Sequence, residues 1–373
     1  MARHFESMSV SSFRGTRDLS IHDLGDLNII VGNNNSGKTS VLEALMILGN
    51  PADFNNVIST SRIREGGKAT FRTSLSLFDS FIYMFDSQSE HKQILLSGKM
   101  HSRAISFELD GEVRKILVDA AELAQQSLTM KRALRDSVIE EEIEGFEGVH
   151  TYNIQMEQRT FFDEIPVKNT ITFHKYVKKT VLDRHKPIVN MMFISTTEHL
   201  VQNIFKNISR SKQMLREVID ILQTFDAGIE DLRIIQDDIR YVQMIEHKTL
   251  GLMPLSSYGD GIKKVIALAN GIAGTKDGVL LIDEIETSIH KSVMKEVFSW
   301  LVRACKRYNV QLFMTTHSLE VVDELLNCDE IVMQEDMARV ITLNKKADKT
   351  VARVLTGEKA VQVRDDYDME LRS

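Results

Sequence analysis

One glycine-rich motif near the start of the chain constrains the fold more than any other feature. The segment Gly32-Asn33-Asn34-Asn35-Ser36-Gly37-Lys38-Thr39 matches the pattern G-x-x-x-x-G-K-[ST] in full. An apolar run from Leu27 to Val31 leads directly into it, and an amphipathic stretch from Thr39 to Leu48 leads out of it. A strand, a tight loop and a helix in this order are typical of phosphate-binding α/β proteins. The motif therefore predicts an α/β fold with a nucleotide-phosphate site.

The residue types of this loop each have a chemical reason. Glycines let the backbone wrap tightly, so that successive N–H groups point at a β-phosphate. The N-terminus of the following helix adds its partial positive charge. Lys38 supplies a full positive charge to the β- and γ-phosphates, and the Thr39 hydroxyl is a ligand for Mg²⁺. The predicted nucleotide-binding residues of this region are Gly32, Asn33, Asn34, Asn35, Ser36, Gly37, Lys38, Thr39 and Ser40.

Two acidic residues follow a second apolar strand. Val279-Leu280-Leu281-Ile282 reads as a strand buried on both faces, and Asp283 and Glu284 come directly after it. The carboxyl ends of parallel strands line the ligand crevice of such a sheet. We expect Asp283 to hold Mg²⁺, directly or through water, and Glu284 to orient or deprotonate the attacking water. A pair of exposed turn carboxylates is the alternative.

A histidine marks the end of a third strand. The run from Val310 to Thr316 ends at His317. A histidine there can hydrogen-bond a γ-phosphate or the attacking water. A lone histidine is more often structural, but its place after the phosphate loop and the acid pair favours a catalytic role. The predicted catalytic residues are thus Lys38, Glu284 and His317.

The remaining pattern predicts further strands and a charged tail. Runs at 104–109 and 113–118, joined by Asp110-Gly111, indicate a hairpin in an antiparallel patch beside the nucleotide domain. Residues 331–334 read as a short strand. The predicted divisions are the first half of the nucleotide domain at 1–118, an insertion of helices and strands at 119–249, the second half at 250–345 and a charged tail at 346–373.

Two long helices are predicted within the insertion, over Asp119–Glu147 and His199–Phe225. The first has a weaker apolar seam, formed by Leu123, Met130 and Leu134. The second has apolar residues three and four apart, with Ser211 in the one gap; they are Val201, Ile204, Ile208, Leu215, Val218, Leu222 and Phe225. The two helices form either a protruding coiled-coil arm or an ordinary pair of core helices.

Composition narrows the class of protein. The net charge of -7 argues against coating nucleic acid by charge alone, and the basic cluster at 175–186 is read as a solvated surface. Cys305 and Cys328 have no Cys or His neighbour at metal-ligand spacing, so they are expected to be buried thiols. No apolar run approaches the roughly 20 residues that span a bilayer. We expect a soluble, cytoplasmic protein.

The order of these motifs resembles that of ABC-type ATPases of the RecF/SMC/OLD kind. The closest resemblance is to the OLD-family ATPase domain and its stand-alone relatives, and it covers roughly 1–118 and 250–345. It implies an ABC-type P-loop ATPase with a mixed central sheet, a flanking antiparallel β patch and an inserted α-helical subdomain. The matching segments are Phe13-Arg14-Gly15, the phosphate loop, Leu255-Ser256-Ser257-Tyr258-Gly259-Asp260-Gly261, Leu281-Ile282-Asp283-Glu284-Ile285-Glu286 and Thr315-Thr316-His317-Ser318.

The resemblance also implies partners. In that family a Ser-x-Gly signature crosses a dimer interface, so Ser257 and Gly259 of one chain would contact the γ-phosphate held by Lys38 of the other. Arg14 is implied to bind nucleotide. ATP and Mg²⁺ are the implied cofactors, in a homodimer or higher even oligomer. Such ATPases control a separate effector, such as a nuclease, in nucleic-acid-related antiviral defence. For residues 255–261, a glycine-rich helix cap is the alternative.

Some positions depart from the OLD pattern. Ile285 and Lys291 stand where those ATPases often have proline, and Gln88 and Gln93 are weak matches to the family's Q-loop glutamine. OLD nucleases also carry a C-terminal TOPRIM domain. Only 56 residues follow His317, so we expect no intrinsic nuclease.

Three other functions compete with ATP-dependent effector control. The main alternative is a DNA-repair-like clamp that contacts DNA through the inserted arm. A transporter ATPase subunit is disfavoured by the long insertion and the Ser-x-Gly signature. A GTPase is suggested by Asn344-Lys345-Lys346-Ala347-Asp348, although the acid falls one residue late for a guanine motif.

Overall fold

The computed structural model describes residues 3–65, 75–86, 89, 91–119, 140–156, 165–177, 185–200, 205–237, 240–334 and 336–367. The strands are β1 (Phe5–Phe13), β2 (Thr16–Ile21), β3 (Leu27–Gly32), β4 (His91–Met100), β5 (Arg103–Asp119), β6 (Glu140–Met156), β7 (Val167–His174), β8 (Met191–Ile194), β9 (Ile229–Asp237), β10 (Arg240–His247), β11 (Gly251–Pro254), β12 (Val279–Ile282), β13 (Gln311–Thr315), β14 (Ala338–Lys345) and β15 (Thr350–Thr356). The α-helices are α1 (Lys38–Gly49), α2 (Phe54–Ser61), α3 (Leu77–Ile82), α4 (Lys212–Leu222), α5 (Asp260–Gly274), α6 (Lys291–Arg307), α7 (Leu319–Leu326), α8 (Asp329–Val332) and α9 (Gly357–Tyr367).

A mixed central sheet organises the protein, with strand order β15-β14-β3-β13-β12-β8. Neighbouring strands from β14 to β8 are parallel, and β15 runs antiparallel to β14. Every residue of β3, β12 and β13 is buried, as expected for parallel strands covered on both faces. The predicted mixed sheet is confirmed.

Two hydrophobic cores lie on opposite faces of this sheet. Leu280 and Ile282 belong to one core, which contains α4, α5 and α6. Val279 and Leu281 belong to the other, which contains α1 and buried side chains of β1, β4 and β5. This alternation follows from the two-residue period of a strand. The sheet is thus fixed from both faces, and the loops at its strand ends start from rigid positions.

Two antiparallel sheets flank the central one. The larger has the order β2-β1-β4-β5-β6-β7, and the smaller has the order β11-β10-β9. The predicted antiparallel patch is therefore confirmed, and it is more extensive than the sequence pattern indicates.

The hairpin predicted at Asp110-Gly111 is wrong. Both residues lie inside β5, which runs without a turn from Arg103 to Asp119. Gly111 faces Gly148 on β6, and a Cβ atom at Gly111 would lie 2.3 Å from the carbonyl oxygen of Glu147. The glycine therefore permits a close approach of two strands rather than a turn.

The helix predicted over Asp119–Glu147 is wrong at its C-terminal end, because residues 140–147 belong to β6. The seam positions Leu123, Met130 and Leu134 lie outside the described residues. β6 pairs with β5 along its whole length, and Ile143 and Phe146 are buried. Pairing with an existing strand overrides the helical propensity of a glutamate-rich segment.

The long helix predicted over His199–Phe225 is also wrong. The described part contains short 3₁₀ turns at Glu198–Leu200 and Ile208–Arg210, followed by α4. Ser211, the gap in the predicted seam, is the N-cap of α4: its hydroxyl accepts a hydrogen bond from the Met214 N–H at 3.2 Å. A serine at this position starts a helix instead of continuing one.

One prediction near the C-terminus is wrong. Residues 331–334 do not form a strand, because Asp329–Val332 is a short helix with Asp329 and Glu330 in its first turn. The region predicted as a charged tail, 346–373, includes β15, which pairs with β14 in the central sheet, and α9.

Smaller predictions can also be compared with the structure. Cys305 and Cys328 are buried free thiols, as predicted. Within the described part of the chain, no helix has both the length and the apolar character needed to cross a membrane. The cytoplasmic location stays a prediction.

Candidate nucleotide site

Three neighbouring parallel strands bring the predicted motifs to one edge of the central sheet. Ile282 of β12 pairs with Met314 of β13, and Thr315 of β13 pairs with Ile30 of β3. Because the strands run parallel and in this register, the phosphate loop after β3, the acids after β12 and the histidine after β13 all emerge at the same edge. The sheet itself therefore assembles the site from distant parts of the sequence.

The backbone of the phosphate loop adopts conformations that require glycine. Gly32 has φ 147° and Gly37 has φ 98°. A Cβ atom at Gly32 would lie 2.5 Å from the carbonyl oxygen of Leu343, and one at Gly37 would lie 2.8 Å from the Thr16 hydroxyl oxygen. Asn35 also lies in the left-handed region, at φ 63°. Side chains are thus excluded at Gly32 and Gly37, and the loop wraps tightly ahead of the α1 N-terminus.

Lys38 is held against the loop that it follows. Its Nζ donates hydrogen bonds to the carbonyl oxygens of Gly32 at 2.8 Å and Asn33 at 3.0 Å. Burial lowers the pKa of Lys38, while the nearby carboxylates of Asp283 and Glu284 act in the opposite direction. A partly desolvated ammonium group at this point is suited to bind phosphate oxygens.

Asp283 is the centre of a hydrogen-bond network. The Thr39 hydroxyl donates to both of its carboxylate oxygens at 3.2 Å, and the Thr315 hydroxyl donates to Oδ1 at 2.6 Å. Thr315 also accepts a hydrogen bond from the Glu284 N–H at 2.9 Å. One carboxylate beside one hydroxyl suits Mg²⁺, which takes its other ligands from phosphates and water. Thr39 and Asp283 therefore fit the predicted metal site.

Glu284 and His317 face each other at the edge of this network. Glu284 has φ 46°, an uncommon conformation for glutamate, and its side chain is 42% exposed. Its Oε1 lies 3.4 Å from Nε2 of His317. The backbone N–H of His317 donates to Oε1 of Glu286 at 2.9 Å. Glu284 and His317 are therefore placed together, and Glu286 fixes the backbone of the histidine.

These groups line one cavity of about 420 Å³, which we name the phosphate cavity. It is partly open to solvent. The predicted residues that line it are Arg14, Asn34, Asn35, Ser36, Gly37, Lys38, Thr39, Ser40, Glu284 and His317, and the additional ones are Thr16, Arg64 and Lys345. Gly32 and Asn33 contribute through their carbonyl bonds to Lys38, and Asp283 through its bond to Thr39.

One ion network in the cavity wall is missed by sequence reasoning. Glu43 on α1 is completely buried, with Arg14 Nε 2.8 Å from its Oε2. Arg64 donates to both Glu43 carboxylate oxygens, at 2.9 and 2.8 Å, and to the Ser40 hydroxyl at 2.9 Å. Glu43 thus orients two guanidinium groups toward the cavity. The sequence does contain a signal for this network, because Glu43 is an acidic residue among the apolar residues of α1.

Other predicted residues lie outside the phosphate cavity. Ser257 and Gly259 are exposed and precede α5, and a Cβ atom at Gly259 would meet nothing within 4 Å. Their role across a dimer interface stays a prediction. Gln93 lies on β4 and bonds to Asp110, away from the cavity, and Gln88 falls outside the described residues.

Comparison with known proteins assigns the family. A family model described as the AAA ATPase domain matches residues 5–322. The chain belongs to the AAA ATPase domain family. The matched range includes the phosphate loop, the acid pair and His317, so the ATPase family and the geometry of the phosphate cavity agree.

Two curated relatives of this AAA ATPase are similar over different extents. An ATP/GTP phosphatase from Helicobacter pylori is 24% identical over 375 residues, which cover 95% of this chain and 96% of the relative. The DNA replication and repair protein RecF from Nitrosococcus oceani is 36% identical over 63 residues, or 17% of each chain. These matches agree with the predicted RecF-like ATPase class.

Among solved structures, an SMC head bound to the C-terminal winged-helix domain of ScpA aligns with 96% of this chain and 99% of its own, at 12% identity and a TM-score of 0.48. The family match over residues 5–322 confirms the predicted P-loop ATPase class, and the short match to RecF agrees with the predicted RecF-like kind. The closer resemblance to OLD-family ATPases stays a prediction.

Proposed function

We propose that this chain is a Mg²⁺-dependent ATPase that dimerises around ATP. One observation carries the proposal: Lys38, Glu284 and His317 line one cavity, whereas Ser257 and Gly259 lie outside it on the same chain. The cavity is partly open to solvent. A second copy that places its signature segment (Leu255–Gly261) over this opening would complete the site.

Within one chain, the residues divide the hydrolysis reaction among them. Backbone N–H groups of the loop and Lys38 bind the phosphates and stabilise the charge that develops on them. Thr39 and Asp283 would hold Mg²⁺, which neutralises phosphate charge when bound. Glu284 accepts a proton from the attacking water, and His317, 3.4 Å away, orients the same water or the γ-phosphate.

The second chain would supply an anion site. Gly259 is the N-cap of α5, a helix of 15 residues, and the exposed Ser257 lies just before it. A serine hydroxyl and free backbone N–H groups at a helix N-terminus together bind phosphate oxygens. By two-fold symmetry the same contact forms twice, so one dimer would hold two ATP molecules.

A mixing experiment tests the shared site. Lys38→Ala removes the phosphate lysine, and Ser257→Arg blocks the signature segment; each variant alone is expected to be inactive. In an equal mixture, half of the dimers contain one intact shared site. We expect ATPase activity to return to about a quarter of the wild-type value.

The outcome is decided by controls in the same assay. A mixture of Lys38→Ala with the double variant Lys38→Ala/Ser257→Arg contains no intact site and is expected to stay inactive. If Ser257→Arg alone hydrolyses ATP normally, or if the first mixture stays inactive although both variants form dimers, the shared site is wrong. Light scattering with and without ATP measures the dimer directly.

We further propose, from the resemblance to OLD-type ATPases, that the ATP-bound dimer controls a separate effector, such as a nuclease, in nucleic-acid-related antiviral defence. Glu284→Gln is expected to hold ATP without turnover. Affinity capture with this variant and ATP is compared with capture by Lys38→Ala, and mass spectrometry identifies proteins present only in the first. Absence of any such protein contradicts effector control.

Two alternatives are separated by simple measurements. The local match to RecF favours a DNA-repair-like clamp, which predicts ATP-dependent DNA binding that weakens steeply with salt. The ATP/GTP phosphatase relative favours GTP as a second substrate, and a neighbouring cavity of about 270 Å³ is lined by Arg17, Lys345 and Asp348. Comparing kcat/KM for ATP and GTP decides between the two nucleotides.

A further inference from the structure

Lys264 is a fully buried cation that interacts electrostatically with the acids after β12. It lies in the second turn of α5, the helix that follows the signature segment. Its side chain is 0% exposed, and its Nζ has no hydrogen-bond partner among the described residues. Burying an unpaired ammonium group is costly, and a methionine of similar length would fill the same space without that cost. The position therefore calls for an explanation beyond packing.

Carboxylates from two elements act on this ammonium group. Burial lowers the pKa of Lys264 to about 8, and the opposing charges are, in order of effect, Glu286, Asp283, Glu284 and Glu198. The first three follow β12, and Glu198 begins the turn after β8. His199 also lies near enough to Lys264 for the two charges to interact, and His199 in turn interacts with Lys263. Among these carboxylates, Glu286 thus has the largest electrostatic effect on Lys264.

Glu286 has a buried oxygen atom without a hydrogen-bond partner among the described residues, as Lys264 has such a nitrogen atom. Its Oε1 accepts the backbone N–H of His317 at 2.9 Å. Its Oε2 is buried without a hydrogen-bond partner among the residues that the structure describes. Lys264 and Glu286 therefore each hold one unused, opposite polar atom, within electrostatic range but not in hydrogen-bond contact. A hydrogen bond between them, formed by a displacement of α5, would satisfy both atoms.

We propose that Lys264 is a positioning residue that links the signature helix to the catalytic edge through Glu286. The proposal rests on the proposed shared ATP site. When the signature segment docks on the γ-phosphate of a partner, α5 moves and Lys264 bonds to the free oxygen of Glu286. Glu286 then holds His317, and the neighbouring Glu284, in the geometry needed for hydrolysis. ATP is thereby hydrolysed only after the second chain has closed the site.

The test separates binding from turnover. Lys264→Met is expected to bind ATP and dimerise like the wild type, with KM within about twofold, while kcat falls about 10- to 100-fold through misplacement of the catalytic groups. Lys264→Arg keeps the charge and is expected to recover part of kcat. Lys263→Met is the matched control. Lys263 is the residue next to Lys264, but it makes an exposed ion pair with Asp260. Its kcat is expected to stay near the wild-type value.

Glu286→Gln tests the same link from its other end and does not depend on Lys264→Met folding well. Because both residues act in one path, the double variant Lys264→Met/Glu286→Gln is expected to lose no more kcat than the more severe single variant. A normal kcat for Lys264→Met, or losses that multiply in the double variant, would overturn the proposal. If the mixing experiment with Lys38→Ala and Ser257→Arg succeeds, such a result contradicts the role of Lys264 alone. If the mixing experiment itself fails, the shared site is wrong.

Discussion

The Thr39 hydroxyl donates hydrogen bonds to both carboxylate oxygens of Asp283, at 3.2 Å, although 244 residues separate the two in the chain. Thr39 is the second residue of α1, which follows the phosphate loop, and Asp283 directly follows β12, which pairs with β13. This contact joins the two halves of the ATPase fold at the point where Mg²⁺ would bind. The same hydrogen bonds therefore stabilise the fold and hold the two predicted metal ligands side by side.

Asp283→Asn is expected to reduce ATP hydrolysis by about 100-fold or more, because an amide oxygen carries no charge to hold Mg²⁺. A titration of activity against Mg²⁺ should show a higher requirement than in the wild type, and chelation with EDTA should stop the wild-type reaction. Asp231→Asn, which changes an exposed ion pair with Arg233, is the control. Wild-type activity that survives EDTA would contradict the assigned metal ligands.

Glu284→Gln is expected to lower kcat by about 100- to 1,000-fold while leaving ATP affinity nearly unchanged. The amide preserves the shape of the side chain but cannot accept the proton of water. Single-turnover hydrolysis and equilibrium binding of ATP measure the two quantities separately. Glu320→Gln alters an exposed pair with Lys291 and serves as the control. Normal hydrolysis by Glu284→Gln would show that another group is the base.

Gly32→Ala is expected to destabilise the protein by about 1–3 kcal/mol and to abolish ATP binding, because the residue combines φ 147° with a 2.5 Å approach to the Leu343 carbonyl oxygen. Gly259→Ala is the matched control: its φ is −66°, and a Cβ atom there meets nothing within 4 Å. Thermal unfolding compares the two. Equal melting temperatures for both variants would contradict the strained loop.

Glu43→Gln is expected to lower the free energy of unfolding by about 3 kcal/mol, because it leaves the Arg14 guanidinium, which is 8% exposed, beside an uncharged amide. It should also weaken ATP binding, since Arg14 and Arg64 lose their orientation in the cavity wall. Denaturant unfolding and ATP titration measure the two effects. Glu330→Gln, which alters the ion pair with Arg303, is expected to cost less than about 1 kcal/mol.

The buried Lys264 is expected to make the free energy of unfolding rise with pH. Its pKa is lowered from 10.5 to about 8 by burial, so the unfolded chain binds more protons between these values. The free energy of unfolding of the wild type should therefore rise with pH across this window, by up to about 1.4 kcal/mol per pH unit from this group. Denaturant unfolding at pH 7.5 to 10 should show the wild type gaining stability relative to Lys264→Met. A constant difference would mean that the folded-state pKa is not lowered.

Local patterns predicted those parts of the fold whose conformation depends on neighbours in sequence. Strand β3, helix α1 and strand β12 follow their predicted bounds within one residue. The heptad-like seam failed because Ser211 caps a helix there, which a count of apolar positions does not detect. Asp110-Gly111 failed because the same glycine that favours a turn also permits two strands to approach closely.

The sequence by itself determined the phosphate loop, the acid pair and the histidine, because each is a short motif tied to the end of one strand. It could not determine that Thr315 bonds to Asp283, that Glu43 holds two arginines, or that Lys264 is buried within electrostatic range of Glu286. Those relations depend on strand order and on the packing of helices against the sheet. Only the tertiary structure decides them, since hydrogen bonds and buried charges are satisfied by whichever groups the folded chain brings within reach.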